Sequence, residues 1–97
     1  MSLQVLLEGT TSADQSLPFS LDGASSEKIV TVFVGGLAGA ETARLQRKNF
    51  AGTYADVTTQ DFTEFTAELN SVAVIGPGTY RVDKDATVAA AYVELES

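Results

Sequence analysis

Apolar residues recur at every second position along most of this chain, in segments rich in Val, Ile, Thr, Phe and Tyr. That period places successive side chains on opposite faces of an extended backbone, and β-branched and aromatic residues fit a pleated, half-buried surface. No stretch keeps a helical period. The best helical candidate, residues 37–48, is opened by Gly35, Gly36 and Gly39, and from Thr42 Ala43 and Leu45 alternate with Arg44 and Gln46 as in a strand with one wet face. Strands must bury their apolar faces against one another. The expected fold is therefore all-β, a two-layer antiparallel β-sandwich or flattened barrel of about seven to eight short strands.

Leu3 to Leu7 reads as the first strand, followed by a polar loop over Thr10 to Asp14 and a short extended piece from Gln15 to Leu21. Pro18 lies inside that piece and cannot donate to a sheet ladder, so residues 1–21 are expected to hold an edge strand or an arm, with Leu17 and Phe19 as candidate partner contacts. Asp22-Gly23 with Ser25-Ser26 marks a turn. Lys28 to Val34 is apolar on both faces, which predicts a central strand covered on each side, with Phe33 buried. A half-exposed strand over Glu41 to Lys48, a turn over Asn49 to Gly52 and a strand over Thr53 to Val57 follow. Phe65, Ala67 and Leu69 alternate with Thr66, Glu68 and Asn70, and Val72 to Ile75 runs into the turn signal Gly76-Pro77-Gly78. Tyr80 and Val82 alternate with Arg81 and Asp83, and a last strand over Thr87 to Leu95 sets Ala89, Ala91, Val93 and Leu95 on one face. No repeat or linker divides the 97 residues, so residues 1–97 are read as a single β-sandwich domain.

The inventory of reactive groups narrows the function. With 44% hydrophobic and 20% charged residues the chain has the composition of a folded globule. Cysteine and histidine are both absent, which removes disulfides, thiolate metal sites, the commonest general base and the commonest zinc ligand. The expectation is a protein that is not an enzyme and holds no cofactor. A net charge of −7 repels phosphate backbones, so direct nucleic-acid binding is not expected. The first residues lack a basic region, and no apolar run approaches the ~18 residues of a membrane span, so a soluble protein without a cleaved address or a membrane partner is expected.

Several clusters carry a chemical reading beside a plainer one. Asp83-Lys84-Asp85 resembles the start of a calcium loop, but the further oxygen ligands and glycine do not follow and Lys84 opposes a cation, which favours a solvated turn. Asp56, Asp61, Glu64 and Glu68 could pair as glycosidase carboxylates, although nothing in their spacing fixes a separation across a cleft. Tyr54, Tyr80, Tyr92, Phe50 and Phe62 could form a sugar-stacking platform without the tryptophan that serves best there. Tyr80 and Phe65 fit a core role better, which leaves Phe50 and Tyr54 around Ala51-Gly52 as the exposed candidates. Arg44, Arg47 and Lys48 gather half of the six basic residues into one strip, either a solvated strand face or a contact for an acidic protein surface.

The run Val74-Ile75-Gly76-Pro77-Gly78-Thr79-Tyr80-Arg81-Val82-Asp83-Lys84 resembles the C-terminal region of small β-sandwich virion proteins of tailed bacteriophages. Upstream, Ala43-Arg44-Leu45-Gln46-Arg47-Lys48 followed by Gly52-Thr53-Tyr54-Ala55-Asp56-Val57 looks like the companion pattern of an L-Q strand, a loop and a second strand, and the likeness covers about residues 27 to 95. It implies a structural virion protein, a capsid decoration protein made in the host cytoplasm and bound to the outside of the shell. Its partners would be the major capsid protein and copies of itself in a homotrimer. A carbohydrate-binding or adhesin-like module of a phage fibre or tail is the alternative from another class.

Overall fold

A computed structural model describes residues 3–21, 29–60, 62–75 and 77–96. Its strands are β1 (Leu3–Thr10), β2 (Asp14–Gln15), β3 (Phe19–Leu21), β4 (Ile29–Gly35), β5 (Ala43–Lys48), β6 (Tyr54–Asp56), β7 (Ser71–Ile75), β8 (Gly78–Lys84) and β9 (Ala91–Glu96). They form two antiparallel sheets. The first has the order β1-β9-β4-β7; in the second, β8 pairs β2, β3 and β5, and β5 pairs β6. Among the described residues there is no helix. The all-β sandwich that the alternation predicts is what forms.

The core lies between the sheets, where Val30, Val32 and Val34 of β4, Val74 of β7, Val93 of β9 and Leu6 of β1 meet Leu45, Tyr80, Val82, Phe19 and Leu21 of the second sheet. Phe62 and Phe65 close one side edge to face, with ring centroids 5.0 Å apart. β4 is interior to its sheet, but only one of its faces is covered. Val30, Val32 and Val34 are buried, whereas Thr31 and Phe33 are half-buried and Ile29 is exposed, because among the described residues no third layer stands over the outer face. Phe33 instead rests at the surface against Tyr92, at 6.0 Å between centroids.

Of the two forms expected for residues 1–21, the described residues 3–21 take the edge strand and not the arm: β1 is an outer strand of the first sheet, and β2 and β3 lie at the edge of the second. β1 runs along β9, from Leu3 opposite Glu96 to Thr10 opposite Ala91, with irregularities after Val5 and after Leu7. β2 and β3 both pair with β8, and Pro18 falls between them, where the chain leaves the ladder. Ser16 holds this gap closed: its amide donates to the Val82 carbonyl (2.8 Å), and its hydroxyl accepts from the Val82 amide (2.8 Å). The next amide, Leu17, donates across to the Leu6 carbonyl of the other sheet (2.9 Å), so this segment ties the two layers together. Phe19 is buried and stacked on Tyr80 at 5.6 Å, so it is a core residue and not a partner contact.

Other expectations shift in detail. The alternation over 65–69 does not make a strand. Phe65 exchanges two backbone bonds with Ala43 (2.7 and 3.1 Å) as an isolated bridge, and the chain then bends, with the Thr66 amide bonded to the Leu69 carbonyl and the Leu69 amide to the Thr66 hydroxyl, both at 2.9 Å. A threonine hydroxyl that satisfies a local amide competes with ladder formation. The last strand begins at Ala91, and Ala89 lies exposed in the preceding loop. Pro77 and Gly78 carry the chain from β7 in one sheet to β8 in the other, so this turn is a crossing between layers; Gly76, Lys28 and the Asp22–Ser26 turn lie outside the described residues.

Candidate binding surface

The outer face of the second sheet is a polar lattice. Residues 44, 46 and 48 of β5 alternate outward from the buried Ala43 and Leu45, beside outward residues of β8. Arg44 donates to Asp83 (2.7 Å) and to both carboxylate oxygens of Asp85 (2.9 and 3.1 Å). Its hydrogen bond to Asp85, then that to Asp83, raises the guanidinium further above its already high value, and the same bond holds the Asp85 carboxyl below the ordinary carboxylate value. Arg81 donates to Gln46 (2.8 Å) and Gln15 (3.2 Å) and lies 4.0 Å over the Tyr54 ring, while Gln46 donates to Asp56 (3.0 Å). Arg44, Arg81, Asp56 and Asp83 on this face are each engaged by a residue of a neighbouring strand, whereas Lys48 is exposed.

These contacts correct several readings of the sequence. Asp83 and Lys84 are strand residues, not a solvated turn. Lys84 is 1% exposed and donates through Nζ to the Ser12 carbonyl, while both aspartates are taken by Arg44. The basic strip does not form on one face: Arg44 is neutralised, and Arg47 alternates to the opposite side, where Nη2 reaches the Pro77 carbonyl (3.4 Å). The aromatic platform is dispersed too. Tyr80 and Phe62 are core, Tyr92 lies on the other sheet, and Tyr54 is half-buried beneath Arg81. Asp61 lies outside the described residues, Asp56 is bonded to Gln46, and no group of three or more acidic residues that could hold a metal occurs among the described residues.

What stays open to a partner is the tip of the β5–β6 hairpin. Asn49 organises it: its amide donates to the Thr53 carbonyl (2.7 Å), its carbonyl accepts from Gly52 (3.0 Å), and its side-chain oxygen accepts from the Thr53 amide (3.1 Å). Gly52 takes a φ of +89°, a conformation that glycine adopts without strain. The tip displays Phe50 with a relative exposure of 109%, two residues after the exposed Arg47-Lys48 pair. Leu17, 61% exposed on the opposite edge of the second sheet, stands apart from it.

Two grooves escaped the sequence reading. A shallow groove of about 280 Å³ on the outer face of the first sheet is lined by Leu3, Thr31, Phe33, Ser71, Glu94 and Glu96. A second, of about 260 Å³, runs along the open side of the sandwich between β7 and the side chains of Val57, Thr59 and Phe62. Period-two spacing gives each strand two faces but not its neighbours, so it cannot show which apolar faces remain uncovered. No protein-family model, curated protein or solved structure matches the chain.

Proposed function

We propose that this chain is a non-enzymatic structural protein of a tailed-phage particle, a decoration protein that binds the outside of the capsid and stabilises it. The capsid as partner comes from the sequence resemblance. The observation that carries binding over catalysis is Phe50, a fully exposed aromatic side chain on a hairpin tip fixed by Asn49 and flanked by cationic residues. Holding such a side chain in water has an energetic cost unless a partner covers it, and aromatic and arginine side chains on a rigid support are the usual anchors of protein interfaces. An acidic body with a locally basic, aromatic tip favours an acidic, apolar pocket on its partner. Many copies on one lattice turn a modest single contact into stabilisation of the whole shell.

The test is to add the purified protein to capsids assembled without it and to image the particles. Near-complete occupancy by the wild-type chain and at least a tenfold weaker affinity of Phe50→Ala are expected, a loss of about 1.4 kcal/mol or more. Bare capsids at saturating protein would refute the capsid reading. Undiminished coating by Phe50→Ala would remove the hairpin tip from it.

A further inference from the structure

We infer that two copies of this chain join through the free edges of β7, in antiparallel register about a twofold axis at Ala73. The other edge strands carry features that discourage pairing. β1 is broken by two irregularities and carries Glu8, β2 is two residues long and begins with Asp14, β3 is three residues long and follows Pro18, and β6 is three residues long and ends with Asp56. β7 has none of these. It reads Ser71-Val72-Ala73-Val74-Ile75, without charge or proline, and pairs with β4 at five consecutive positions without a shift of register.

The hydrogen-bonding sense of this edge follows from one contact. The Val34 amide donates to the Asn70 carbonyl (2.8 Å), so Asn70 lies in a hydrogen-bonded pair with β4. Antiparallel ladders alternate, which turns the backbone groups of Val72 and Val74 toward β4 and those of Ser71, Ala73 and Ile75 away from it. Among the described residues those three have no backbone partner on the open side. A twofold axis at Ala73 matches Ser71 with Ile75 of the second copy, Ala73 with its own equivalent, and Ile75 with Ser71. Every outward donor then meets an outward acceptor, and Val72 and Val74 of one copy continue the apolar face of the other. Such self-complementarity is the condition for a closed dimer.

Self-matching selects a second copy as the occupant: the five residues of β7 pair with those of a second β7 without a gap or a charge. The net charge of −7 on each molecule opposes association, and along β7 two copies meet with no carboxylate facing another. The groove of about 260 Å³ points to the same place: all of Val72 to Ile75 line it, facing Leu45, Val57, Thr59, Phe62 and Tyr80, so it runs along the strand's open edge. A strand added there closes its open side. This pairing is independent of the capsid reading, and it replaces the threefold arrangement implied by the resemblance with a twofold one.

Ala73 is exposed on the outer face and would lie beside its own equivalent across the axis, which permits a charge-swap test. Sedimentation across a micromolar to millimolar series is expected to show a wild-type monomer–dimer equilibrium. Ala73→Lys and Ala73→Asp should each sediment as monomers, because like charges then face each other, and an equimolar mixture of the two variants should recover the dimer. Hydrogen exchange on the wild-type protein serves as the second readout: protection of the Ser71, Ala73 and Ile75 amides should fall on dilution while that of Val72 and Val74 stays constant. A wild-type chain that remains monomeric or forms trimers, single variants that still dimerise, or edge amides indifferent to dilution would each overturn the proposal.

Discussion

Phe65 and Phe33 put the same side chain in two environments of one sandwich, the core and an outer face. Phe65 is fully buried against Phe62, so Phe65→Ala is expected to cost about 3–5 kcal/mol in denaturant titrations. Phe33 has only Tyr92 and the sheet beneath it, and Phe33→Ala should cost nearer to 1 kcal/mol; equal losses would mean that the outer face is covered. Two adjacent glycines separate in the same way. A Cβ on Gly35 would meet the tip of the Tyr92 ring, at 2.3 Å, which can swing away, whereas on Gly36 it would meet the Ala90 carbonyl oxygen at 2.4 Å with φ at +91°. Gly36→Ala should therefore destabilise by about 1–3 kcal/mol and Gly35→Ala by less, read from the same titrations. At Asp85 the effect is of pH. Its folded pKa is depressed by the Arg44 hydrogen bond, so its contribution is complete above the ordinary value of 3.8 and is lost as pH falls through the lower folded value. With both groups partly exposed the contribution is below about 1 kcal/mol. Arg44→Ala should return the Asp85 carboxyl midpoint, followed by NMR, toward 3.8.

Single strands were legible in the sequence because their evidence is local. The alternation from Ala43 to Lys48, the turn at Asn49 to Gly52 and the apolar run of Val72 to Ile75 each lie within a few residues and agree with β5, the hairpin tip and β7. The sequence was less legible where the evidence is distant. Pro18 left an edge strand and an arm both open, because nothing in residues 15–21 tells that Ser16 satisfies Val82 from the far end of the chain and so holds the segment in the sheet edge. Phe33 looked central, because a strand can be interior in its sheet and still bare on one face. The candidate site was least legible of all: Arg44 pairs with residues about forty positions away in sequence, and these contacts dismantle a basic strip that looked continuous. Deleting residues 1–13 removes β1 with its buried Leu6, the Ser12 carbonyl that accepts from buried Lys84, and the Thr11 carbonyl that accepts from the Thr87 amide (2.9 Å). Losing Leu6 alone is worth about 2–5 kcal/mol, and a buried ammonium left without its acceptor adds to that. The truncated chain should show no cooperative thermal transition by circular dichroism.

For the molecule as a whole, the topology joins the chain's two ends. Leu3 stands opposite Glu96, β2 and β3 near the start pair with β8 near the end, and among the described residues the only ladder between strands adjacent in sequence is the short β5–β6 hairpin. Most pairings therefore require a large loop to close before any contact rewards it, and the entropic cost is met early in folding. Local hairpins offer little shelter on the way, since the β5–β6 ladder has three residue pairs. The expected outcome is slow folding for a chain of 97 residues, in milliseconds to seconds as is typical of sandwiches. Stopped-flow refolding measures it. Because β9 lies between β1 and β4, its arrival completes the first sheet, so a variant that weakens β9 in the buried layer, such as Val93→Ala, should slow folding as well as speed unfolding. Phe50→Ala at the hairpin tip should leave both rates unchanged. Folding within microseconds, or a Val93→Ala effect confined to the unfolding limb, would mean that the chain ends meet only after the transition state, with the sandwich nucleated by β5 and β8 instead.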